Sequence, residues 1–116
     1  MTDKELLEAA ARAAGVEIDK DGPWVEGRDE WAHATREEWD PLTDDGYALR
    51  LAVTLGIGIR SNGPQHWQNP NRSIALWDYG EKSGRVVVEH GDDTAHSTRR
   101  AIVRAAAAMQ AQEVVK

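Results

Sequence analysis

The segment Ser73–Tyr79 has the two-residue alternation of a β-strand, yet its apolar residues stand at both parities. Ile74 and Leu76 occupy one, and Ala75, Trp77 and Tyr79 the other. A strand of that kind has no face to give wholly to water, so its sheet is expected to be covered on both sides. Two neighbouring segments, Ile57–Arg60 and Arg85–His90, also read as strands. The turn residues Gly80-Glu81-Lys82-Ser83-Gly84 join the last two, and the three make an antiparallel meander.

Helical sequence flanks this meander. Residues 3–14 place Leu6, Leu7, Ala10 and Ala14 at helical spacing, with Gly15 suited to the left-handed position that ends a helix. A second helix is predicted over 44–55, capped by Thr43 or Asp44 and ended by Gly56. Its wide apolar surface of Leu49, Leu51, Ala52, Val53 and Leu55 predicts the central helix of the fold. A third is predicted over 93–112, with Ile102, Val103, Ala106 and Met109 inward and Arg99, Arg100 and Arg104 outward. Between the first two helices, Trp24 to Trp39 is polar and without a clear period, and reads as a long ordered loop. The expected fold is therefore α+β: a three-layer α/β/α sandwich, with a small antiparallel sheet of about three strands covered by helices. At 116 residues it forms a single domain over 1–116.

Composition narrows the function classes. No cysteine is present, which removes disulfides, thiol nucleophiles and thiolate metal sites and fits a reducing compartment. No apolar run reaches the ~18 residues of a membrane span, and the N-terminus lacks a signal-peptide pattern. The expected setting is the cytoplasm, away from the membrane. Residues 1–56 carry 14 acids and 6 bases and residues 57–116 carry 6 and 8, so the halves hold −8 and +2 of the net −6. That excess of two bases is well short of a nucleic-acid footprint, and no nucleic-acid partner is expected.

The stretch Trp39-Asp40-Pro41-Leu42-Thr43-Asp44-Asp45-Gly46-Tyr47-Ala48-Leu49-Arg50-Leu51-Ala52-Val53, with the later Ser97-Thr98-Arg99-Arg100-Ala101-Ile102-Val103-Arg104, resembles the phage ABA sandwich domain family. These are small phage and prophage proteins of undetermined biochemical role. The resemblance covers about two thirds of the chain. It implies an antiparallel sheet between helices and a phage accessory role, and it brings no catalytic residues or cofactors with it.

Catalytic signals are sparse. His90, Asp93 and His96 have the residue types of a divalent-metal site, which makes a metal-dependent hydrolase the enzymatic alternative. The competing reading, which weighs more, is that Asp92 or Asp93 caps the last helix and the histidines are solvated. No metal or other cofactor is expected. The aromatic set is the more unusual feature, with five Trp, two Tyr and no Phe. Trp77 reads as core. Trp24, Trp31, Trp39 and Trp67 lie in loop-like sequence and are candidate ligand contacts, with Arg60, Arg72 and Arg85 as candidate partners for an anion. The expected function is non-enzymatic binding of a small host molecule or a host protein. In its most concrete form this is a sponge for a nucleotide-derived defence signal. A structural protein whose tryptophans bury a homo-oligomer interface is the remaining alternative.

Overall fold

The computed structural model describes residues 2–62, 65, 70–80, 82–91 and 93–114. Helix α1 (Asp3–Ala14) has the bounds and the glycine end its sequence predicts, and a capping box opens it. Thr2 Oγ1 accepts the Glu5 N–H at 3.1 Å, the Glu5 carboxylate accepts the Thr2 N–H at 3.4 Å, and Gly15 closes the helix at φ 74°.

The segment Trp24–Trp39, expected as a long loop, instead forms most of a three-stranded antiparallel sheet. Strands β1 (Glu17–Asp19), β2 (Gly22–Arg28) and β3 (Ala34–Glu38) pair in that order, with Val25 opposite Glu37 and Gly27 opposite Thr35. Its sequence signal is weak because the hairpin buries little. Every residue of β3 except Thr35 is exposed, so no apolar alternation marks the strand. Backbone pairing holds it, helped by the Arg36 guanidinium, which sits 4.6 Å from the centre of the Trp24 ring and also pairs with Asp19.

Helix α2 (Asp45–Leu55) starts at Asp44, whose carboxylate accepts the Tyr47 N–H at 2.9 Å, and ends at Gly56 with φ 66°. The expected meander follows as β4 (Gly58–Asn62), β5 (Arg72–Tyr79) and β6 (Lys82–Glu89), in the order β4-β5-β6. The turn predicted over 80–84 is shorter, because Lys82, Ser83 and Gly84 already belong to β6. Gly84 serves packing there: a Cβ on it would lie 2.5 Å from the Trp77 ring.

Helix α3 (Thr94–Val114) packs on the inner face of this sheet, and α1 and α2 pack on α3. The protein is α+β, as its sequence predicts, but α3 is the central helix and not α2. Ala101, Val103, Ala105 and Ala106 have no exposed surface, since their small side chains let neighbours approach from every side. On α2, Leu49 and Val53 are 61% and 74% exposed. Two of the arginines expected outward are instead tethers. Arg99 donates to the Leu42 carbonyl at 2.9 Å and to Asp45 at 2.7 Å, and Arg100 donates to Asp3 at 2.8 Å. The helices thus gather on one side of the β4–β6 sheet. Among the described residues no helix covers its other face, where the sequence predicts a third layer. No described helix is long and apolar enough to cross a membrane.

Candidate functional site

The uncovered face of the second sheet brings together the three arginines singled out in the sequence. Cross-strand register aligns Arg60, Ile74 and Val87 in one row, Gly58, Leu76 and Arg85 in the next, and Asn62, Arg72 and Glu89 in a third. Residues opposite one another on neighbouring strands share a face, so these rows stand on one side of the sheet, where Asn62 at the end of β4 is itself buried. Ser73, Ala75 and Trp77 point the other way, into the core. Leu76 remains 45% exposed and Val87 38%.

Charge on this face is mixed, with Arg60 and Arg85 on the two outer strands and the apolar Ile74 and Leu76 on the central one. Arg72 sits 3.5 Å from Glu89 as an exposed ion pair, and Asp78 lies at one end, where its carboxylate accepts the Gly80 N–H at 3.0 Å. Among the described residues, Arg60 and Arg85 have no acidic partner within ion-pair distance. Two unpaired guanidinium groups therefore flank an apolar strip of Ile74, Leu76 and Val87.

The tryptophans are placed elsewhere. Trp24 belongs to β2 beneath Arg36. Trp31 is 74% exposed at the tip of the β2–β3 hairpin, where the Asp29 carboxylate accepts the N–H groups of Trp31 and His33 at 2.9 and 2.8 Å. Trp39 is 5% exposed and belongs to the core. Trp67 lies outside the described residues. None of the other three stands on the arginine face, so the composite of stacked base and neutralised phosphate is not assembled by the described side chains.

His90, Asp93 and His96 have structural partners. The His90 ring Nε2 is 2.9 Å from Ser73 Oγ, which is 2.8 Å from Thr98 Oγ1 and so links β5 to α3. The Asp93 carboxylate accepts the His96 N–H at 3.1 Å, which caps α3 and lowers the Asp93 pKa below its usual value. Among the described residues, no group of three His, Asp or Glu side chains is placed to hold a metal ion.

A cleft of about 370 Å³ opens between the first sheet and α2, floored by Trp39, Val25 and Leu51. Its rim joins residues far apart in sequence. The Tyr47 hydroxyl donates to Glu37 at 2.7 Å, which raises the Tyr47 pKa, and the Arg50 guanidinium lies 5.0 Å from the centre of the Tyr47 ring. Sequence reasoning missed this cluster, because its members come from a strand unmarked by apolar alternation and from the polar face of a helix. Glu26 and Glu37 make the rim acidic, a poor match for phosphate.

Fold and surface together define a small α+β protein with a sheet face on which Arg60 and Arg85 have no acidic partner among the described residues. No protein family, no curated protein and no solved structure matches the chain.

Proposed function

We propose that the protein is a binding protein rather than an enzyme, of the accessory kind implied by the resemblance to phage proteins, and that it engages an acidic protein partner. The observation carrying this reading is the outer face of β4–β6, where Arg60 and Arg85, without an acidic partner among the described residues, flank Ile74, Leu76 and Val87. Arginine beside exposed apolar surface is the composition of an interface centre. The face is open, whereas small-molecule sites are concave. This favours a protein over the nucleotide of the sponge reading, of whose candidate stacking residues Trp24, Trp31 and Trp39 stand on other elements. The metal-hydrolase alternative loses support because His90 and Asp93 are held in structural hydrogen bonds.

The test is fluorescence anisotropy with a labelled copolymer of glutamate and tyrosine, run beside cyclic dinucleotides and ADP-ribose. The copolymer is expected to bind, to weaken with salt, and to lose roughly tenfold or more in affinity in the double variant Arg60→Glu/Arg85→Glu, which keeps its fold. Equal binding by wild type and variant would sink the proposal. Tight, arginine-dependent binding of a nucleotide would return the sponge reading in its place.

A further inference from the structure

A second surface feature adjoins Arg60 and bears on how a partner is held. Strand β4 is an edge strand, since β5 pairs with one side of it and no described strand pairs with the other. Beside it lies a cavity of about 280 Å³ between β4, α2 and α3, with walls formed by Leu49, Ile59, Ala95 and Ile102. That volume is just under the ~300–1,000 Å³ of small-molecule pockets and suits one or two side chains. Leu49 and Ile59 are exposed there, and Val53 continues the α2 ridge one turn further on. The edge of β6 differs, since Lys82, Arg85 and Glu89 place charge along it, which discourages pairing. β4 offers Gly58, Ile59 and Ser61, with Arg60 as its one charge.

We propose that β4 accepts an extended segment of the partner protein as a fourth strand. An apolar side chain of that segment fills the cavity between α2 and α3, and an acidic side chain stands beside Arg60. Pairing geometry sets this chemistry. A residue placed next to Ile59 points to the same side as Ile59, into the cavity, and its chain neighbours point to the opposite face, where Arg60 has no acidic partner among the described residues. The segment is therefore one that alternates apolar and acidic residues, with backbone hydrogen bonds supplying affinity and the cavity supplying selection.

This inference rests on the binding-protein reading above, and its test separates the two. A labelled synthetic peptide alternating glutamate with leucine and valine is titrated against the full chain. Beside it run a peptide of the same side chains N-methylated at alternate amides and the copolymer used for the arginine face. The N-methylated peptide is expected to bind roughly tenfold or more weakly, and Leu49→Glu, at an exposed position, to weaken the parent peptide similarly while leaving copolymer binding unchanged. Amide hydrogen exchange across 58–62 is expected to slow when the parent peptide is bound. Equal affinity of the two peptides, or an unaffected Leu49→Glu variant, overturns the proposal. So does a dimer broken by Ile59→Glu, which would give the edge to a second copy of the chain. Copolymer binding without peptide binding defeats this inference alone, and loss of both defeats the binding-protein reading with it.

Discussion

Trp31 and Trp39 sit eight positions apart in similar polar sequence, and their surroundings differ completely. The backbone around Trp31 is fixed by Asp29 and the ring is left in water. Trp39 follows directly on β3, donates its N–H to the Pro23 carbonyl at 3.1 Å, and turns its ring into the core. Deleting each side chain should read this out. Trp39→Ala is expected to cost ~3–5 kcal/mol in denaturant melts, the usual range for an emptied core position, whereas Trp31→Ala should stay within about 0.5 kcal/mol of wild type. Comparable costs at the two positions would mean that the hairpin tip is buried against something in solution.

Among the elements, α2 and α3 exchange the roles their composition predicts. The apolar surface of α2 is the wider of the two, but Leu49 and Val53 are left facing the cavity beside β4 and solvent. The alanine-rich α3 takes the centre because it can be approached closely by α1, α2 and the sheet together. Enlarging a side chain at the point of closest packing should therefore be costly. Ala106→Leu is expected to destabilise by ~1–3 kcal/mol through overpacking, while Leu49→Lys should change stability by less than about 0.5 kcal/mol. Paired chemical melts distinguish the two, and a severe loss from Leu49→Lys would place α2 deeper than the structure does.

At the scale of the whole molecule, the first sheet is joined to the helices partly through the Tyr47–Glu37 hydrogen bond. That bond holds the Tyr47 pKa above the ordinary 10.0, so the folded state keeps the proton more tightly than the unfolded chain does. The stabilisation is complete below about pH 10 and is lost as pH rises through the higher folded value, where a phenolate would face the Glu37 carboxylate. Wild type should thus lose more stability above about pH 10 than Tyr47→Phe, measured by thermal melts across the alkaline range. Parallel curves would remove Tyr47 as a joint.

The sequence by itself determined the features that depend on local chemistry. The Asp44 cap, the glycine ends at Gly15 and Gly56, and the β4–β6 meander each follow from a few adjacent residues whose backbone preferences agree. It also marked Arg60, Arg72 and Arg85 as candidates without being able to say that they share a face. Tertiary structure alone decided that, because the alignment depends on the register of three strands and on which side α3 packs. The same holds for the β1–β3 sheet, which buries too little apolar surface to leave a period in the sequence, and for the uncovered outer face. Ile74 and Leu76 register as a need for cover, but the site of that cover depends on how α1 and α2 dock. They pack on α3, whose run of small side chains lets several elements come close at once, and no described helix covers the outer face of the sheet.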